Sequence, residues 1–146
     1  MSNSQIVKAN SNATSDVYCS INPQSQADKV KLFNALEKCD FVLNDEVGTV
    51  IKVKNVYIQE YDKVDTNTGE PRKAHRTILF DEFDKTHVTA SNYLFVCISK
   101  IFAIWGTPDT WAEPLTVKVI KKPVKNGRAA LSLELVSETS PEPEAA

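Results

Sequence analysis

The chain has only three cysteines, two histidines and one methionine in 146 residues, and these scarcities remove several classes of function. Cys19, Cys39 and Cys97 show no CxxC spacing, and His75 and His87 stand far from them, so no zinc ligand set can be assembled. There is no Walker loop, no GxSxG and no HExxH, which leaves no enzyme and no cofactor to propose. No apolar run is long enough to span a bilayer, and the polar N-terminus does not read as a signal peptide. With an odd number of scattered cysteines, this predicts a reducing, cytoplasmic compartment and no membrane association. An excess of base is lacking too: 17 Lys and Arg against 19 Asp and Glu give a net charge of −2, which does not announce a nucleic-acid partner.

Against these absences stands 42% hydrophobic residues, enough for one domain with a real core plus tails. Charge is also unevenly placed. The stretch 46–136 carries more base than acid, whereas 137–146 holds Glu138, Glu142 and Glu144 and no base.

The organising stretch is 47–61. Val47, Thr49, Ile51 and Val53 alternate with Gly48, Val50, Lys52 and Lys54, the period of a strand with one face inward. After Asn55 the apolar phase slips onto Val56 and Ile58, so one extra residue, a bulge, is needed to keep both halves on one core. This register turns Lys52, Lys54, Tyr57 and Tyr61 outward, and cations alternating with aromatics suit phosphates and base faces.

In chain order, 1–25 is rich in Ser, Asn and Gln and is expected to be mobile or to lie on a neighbour. From residue 26 to 39, Ala27, Val30, Leu32, Phe33 and Leu36 predict an amphipathic helix. Its apolar stripe requires either the same domain's barrel or a second copy of the chain, giving a homo-oligomer. Residues 63–72 read as a long, mobile hairpin loop, followed by strands at 74–81 and 86–90. Ser91 caps a helix over 92–105 with Tyr93, Val96, Cys97, Ile101, Ile104 and Trp105 on its stripe, and Gly106 and Pro108 stop it. Strands at 115–122 and 128–136, with Leu115, Val117, Val119, Leu131, Leu133 and Leu135 inward, flank a loop containing Asn126-Gly127. Residues 137–146, with two prolines and no core residue, read as a disordered acidic tail.

The order β-β-β-α-β-β, with a long bent first strand, predicts a mainly β protein, a five-stranded OB-fold barrel with an additional N-terminal helix and disordered termini. The domain is 26–136. OB barrels bind oligonucleotides through the second and third strands and the first and last hairpin loops. Here those positions carry Lys63, Arg72, Lys73 and Arg76, then Lys121, Lys122, Lys125 and Arg128. With Lys52 and Lys54 they form the candidate phosphate contacts, and Tyr57, Tyr61 and Phe80 the candidate stacking rings, Phe80 belonging either there or in the core. Phe33, Tyr93, Phe95, Phe102 and Trp105 are assigned to packing, and Trp111 either seals the barrel or meets a ligand. His75 and His87 are expected at the surface, and Asp81, Glu82 and Asp84 at a solvated hairpin end.

The strings GTVIKVKNVYIQEYDKVDTNTGE at 48–70, RTILFDEFDKTHVTAS at 76–91, IFAIWG at 101–106 and LTVKVIKKPVKNGRAALSLELV at 115–136 carry a family likeness. Over roughly 45–136 the chain resembles the small OB-fold single-stranded DNA-binding proteins of tailed bacteriophages. The resemblance implies sequence-independent binding of single strands in phage replication or recombination, in the host cytoplasm. In such proteins an acidic C-terminal tail often recruits replication enzymes, but this tail ends Glu144-Ala145-Ala146 without the aromatic terminus of bacterial relatives. The rival expectation is an OB-type protein-interaction or virion-assembly module. Salt dependence of oligonucleotide binding separates the two.

Overall fold

The longest strand runs over Val50–Val64, and the computed structural model, which describes residues 5–8, 16–124 and 127–136, builds its sheet around it. The elements in chain order are β1 (Gln5–Lys8), β2 (Asp16–Cys19), α1 (Gln26–Glu37), β3 (Phe41–Val42), β4 (Val50–Val64), β5 (Pro71–Asp81), β6 (Thr86–Thr89), α2 (Asn92–Trp105), β7 (Leu115–Pro123) and β8 (Ala129–Leu135). The strands form one curled, mixed sheet in the order β1-β2-β4-β5-β6-β3, and β7 pairs with the first half of β4 and carries β8. The protein is mainly β. The expected closure into a five-stranded barrel is not made among the described residues. β3, a strand not anticipated from the sequence, takes the free edge of β6 in parallel, and β8 packs against α2, so the sheet stops as a half-barrel.

The bulge is present: the register of β4 against β5 shifts between Val53 and Asn55, with Lys54 as the extra residue. Ile51, Val53, Val56 and Ile58 are consequently all buried in one core with Leu79, Leu94, Ile98, Val117, Val119, Leu131 and Leu133. The bulge thus keeps the apolar phase facing inward as the strand bends. The strand does not begin at Val47, however. Val47 and Gly48 form a turn, and Val47 and Thr49 are exposed rather than inward.

Three further expectations change. Residues 5–8 and 16–19 are strands, β2 lying against the second half of β4, so part of the supposedly mobile N-terminus belongs to the sheet. The 63–72 loop shrinks to a tight turn over 65–70, because Asp65 accepts from the N–H groups of Asn67 (2.8 Å) and Thr68 (3.3 Å), and Gly69 N–H closes on the Asp65 carbonyl (2.7 Å). α2 is rotated from its expected setting. Leu94, Ile98 and Ile101 are buried, whereas Tyr93, Val96, Ile104 and Trp105 are exposed, Ile104 at 74%. The expected stripe omits Leu94 and Ile98 because α2 is apolar nearly all round, which leaves periodicity little to resolve. Gly106 ends α2 at φ +82°, and a Cβ there would lie 2.8 Å from Thr110 Oγ1, so the position requires glycine. The acidic tail, 137–146, lies outside the described residues.

Candidate nucleic-acid interface

Beyond the bulge, β4 and β5 form a long antiparallel ribbon, flanked by β2 at Tyr57 to Glu60 and by β6 at Thr77 to Phe80, whose register sorts the candidate residues by face. Directly paired residues point the same way and alternate pairs share a face. One face carries Asn55 with Phe80, Tyr57 with Ile78, Gln59 with Arg76, Tyr61 with Ala74, and Lys63 with Arg72. The other carries Val56 with Leu79, Ile58 with Thr77, Glu60 with His75, and Asp62 with Lys73, and faces the core and α2. The register therefore gathers Tyr57, Tyr61, Lys63, Arg72 and Arg76 on one surface. Lys73 is turned to the opposite one, where its ammonium bonds Asp62 at 2.7 Å.

The outward face is not equally open along its length. α1 lies over its bulge end, and Arg76 Nη2 donates to the Leu36 carbonyl at 3.2 Å, holding the helix's last turn to the sheet. Ile78 and Phe80 are thereby buried, Phe80 at 3% exposure, so its ring is not open on the ribbon surface and is reached only through the cleft beside α1. Tyr57 is half-buried. Burial pushes its phenol above the ordinary tyrosine value, the nearby Cys19 adds to this, and the Arg76 guanidinium pulls the other way. Lys54, the bulged residue, is tied to Asp84 at 2.7 Å. Lys52 is exposed on the outward side of β4's first half, opposite Thr116 on β7. At the hairpin end, Arg72 approaches Asp65 at 3.7 Å and Lys63 is exposed. The N–H groups of Asn67 and Thr68, and then Arg72, hold the Asp65 carboxyl below the usual carboxylate range.

The second basic cluster sits at the β7–β8 hairpin. Lys121 and Lys122 are exposed at the end of β7, and Arg128 is exposed in the turn. Lys125 lies outside the described residues. β4 joins the two clusters, since its first residues pair with β7 and its last lead into the first hairpin.

Both histidines serve the scaffold instead of the surface. His75 stacks on Phe95 of α2 at 3.7 Å between ring centroids and meets Glu60 Oε2 (3.2 Å) and Asn92 Oδ1 (3.3 Å). His87 is buried between Glu46 Oε1 (2.7 Å) and Asp81 Oδ2 (3.0 Å), with Phe41 stacked on its ring. Asp81 is thus no solvated loop acid. Burial alone would raise its carboxyl, but His87 and the N–H groups of Lys85 and Phe83 outweigh burial and hold it low. Trp111 packs against the core and donates Nε1–H to the Gly106 carbonyl at 2.9 Å, the sealing role of its two expected ones. Phe95 and Phe102 pack as expected, whereas Phe33, Tyr93 and Trp105 are exposed. Sequence reading missed Asn55 and Gln59 on the outward face, though the parity of β4 with Tyr57 and Tyr61 contains both.

A curled β-sheet that sets Tyr61 between cation-bearing pairs on one ribbon face, with a second basic hairpin on the neighbouring strands, is a surface chemically suited to bases and phosphates. The chain belongs to the Phi29-type family of phage single-stranded DNA-binding proteins, whose family model matches residues 8–136. That family is a DNA-binding, non-catalytic one. Comparison with the curated proteins and with the solved structures finds no match for the chain. Among the described residues no helix is long and apolar enough to cross a membrane.

Proposed function

We propose that this protein coats single-stranded DNA without reading its sequence, protecting and organising strands in phage replication or recombination in the host cytoplasm. The family supports the DNA-binding core of this reading. The observation that carries the rest is the outward ribbon face, where Tyr61 lies between the Lys63–Arg72 pair and the Gln59–Arg76 pair. Aromatic faces bind any base, and the flanking cations neutralise phosphates. Lys52, Lys54 and the Lys121, Lys122, Lys125 and Arg128 hairpin extend the phosphate contacts in this reading. In this reading β4 to β8 and α2 take the five-strand, one-helix roles of an OB-fold, with α1 added before them; their order along the chain supports it.

Titration of fluorescent oligo-dT of about thirty nucleotides, beside its duplex counterpart, tests this. Single strands should bind more tightly than duplex, and affinity should fall as salt rises. Absence of binding at low salt sinks the proposal. A rival reading, a protein-interaction or virion-assembly module, draws on the exposed apolar side of α2, which carries Tyr93, Val96, Ile104 and Trp105. Replication or recombination proteins are further partners in the first reading. A homo-oligomer through α1 is supported by Val30 and Phe33, which are 50% and 62% exposed on that helix.

A further inference from the structure

At the bulge end of the outward face, a cleft of about 260 Å3 opens between α1 and the sheet. Its apolar lining comes from Leu32 and Ala35 of α1, Ile21 and Pro23 of the segment before it, and Phe80 of β5, and the rest of the lining is polar or charged. Drug-sized ligands occupy pockets of about 300 Å3 and upward, so this volume suits a single flat ring system.

Asn55 gives the cleft its polarity. Val56 N–H donates to Ser20 Oγ (2.9 Å), which leaves the Ser20 hydroxyl proton to donate to Asn55 Oδ1 (2.9 Å). This relay fixes the side-chain amide, with its NH2 group at the other end. The amide NH2 keeps two N–H donors, matching a ring that carries carbonyl or ring-nitrogen acceptors. At the mouth, Asp84 receives Lys54 at 2.7 Å and Lys31 at 3.9 Å, and Asp28 also lines the cleft. Two ammonium groups against two carboxylates leave the mouth balanced, so phosphate attraction does not account for an occupant. Ring fit and the Asn55 amide do.

We infer that this cleft takes one nucleobase of the bound strand, an inference that rests on the single-strand-binding reading. Position supports it. Asn55 and Phe80 are a cross-strand pair on the same face as Tyr57, Tyr61, Lys63 and Arg72. From Asn55 to Lys63 the strand extends about 26 Å at 3.3 Å per residue. A strand following β4 from the basic hairpin past Tyr61 and Tyr57 ends at the cleft.

Filling the cleft by Ala35→Leu tests the assignment, because leucine is a good helix former and Ala35 lines the cleft. Oligo-dT affinity should fall about tenfold, within the range one stacked base contributes. The salt slope should stay unchanged, since no phosphate contact is removed. Because the variant can also shift α1, the unaltered protein is titrated with millimolar thymidine, which has the ring and no phosphate. The Ala35 methyl and Asn55 amide NMR signals should move with thymidine and stay still with inorganic phosphate. Unmoved signals with thymidine, or full affinity in Ala35→Leu, overturn the inference while oligo-dT still binds the unaltered protein. Loss of oligo-dT binding by the unaltered protein would instead remove the function on which it rests.

Discussion

Replacing Tyr61 and Tyr57 in turn by alanine should separate binding from folding along one strand. Tyr61 faces Ala74 across the ribbon, so its ring has no large cross-strand neighbour. Its removal should cost folding only what one cross-strand pair contributes, about 0.2 to 1 kcal/mol. If its ring stacks on a base, binding should weaken by about 1 to 3 kcal/mol, roughly five- to 150-fold. Tyr57 is half-buried opposite the fully buried Ile78 and close to Arg76 and Glu37. Truncation there removes packing as well, roughly half of the 3 to 5 kcal/mol that a fully buried aromatic loses. Urea midpoints and oligo-dT titrations on both variants measure the two effects together. The expected pattern is a stable, weak-binding Tyr61→Ala and a Tyr57→Ala impaired in both. Tyr61→Ala with full affinity, or with a stability loss as large as that of Tyr57→Ala, would refute the assignment of faces.

The β7–β8 hairpin should supply charge alone, so the Lys121→Ala, Lys122→Ala double variant should weaken all oligonucleotides alike and flatten the salt slope by about 0.7 per lost contact. A loss confined to one base composition contradicts that. His87→Ala leaves the Glu46 and Asp81 carboxylates facing one another without the ring that bonds both. It should cost about 1 to 3 kcal/mol in denaturant unfolding through the buried groups left without their partner, and under 1 kcal/mol would show that the ring fastens nothing. The Asp81 carboxyl is held below its unfolded value, so its contribution is complete above about pH 4 and is lost as pH falls through the folded value. Acid unfolding of Asp81→Asn should lack that part of the decline. Deleting 137–146, with its three glutamates, should tighten oligonucleotide binding more at about 20 mM salt than at high salt, because the tail competes for the same lysines; equal affinities at low salt would exclude competition.

Much of the sheet was legible because strand alternation is a strong signal where only one face is buried. The phase slip from Val53 to Val56 gave the bulge, and the bulge gave the outward set that includes Tyr57 and Tyr61. α2 was legible as a helix through Ser91, whose Oγ accepts from Leu94 N–H, and through Gly106, but its buried side was not. An almost uniformly apolar helix carries no phase. The site was legible in composition and less so in availability. Lys73 and Arg72 are adjacent in sequence yet on opposite faces, which the strand period contains once the register is known. Nothing local to Phe80 or Arg76 announces that α1, some forty residues earlier, comes to rest on them, because α1 buries none of its own residues fully and leaves Val30 and Phe33 exposed. His87 likewise depends on Glu46 and Asp81, brought together by β3 and the turn after it, a contact that exists only in three dimensions.

The outward ribbon face is tested most directly by two variants that differ by one step in register. Lys63→Gln with Arg72→Gln removes a cross-strand pair from the outward face, while Lys73→Gln removes a neighbouring cation from the face that bonds Asp62. Oligo-dT affinity measured across a salt series should fall for the first protein, with a slope shallower by about 1.4 for two lost contacts, and stay near that of the unaltered protein for the second. Equal losses in both, or a loss confined to Lys73→Gln, would contradict binding on this face.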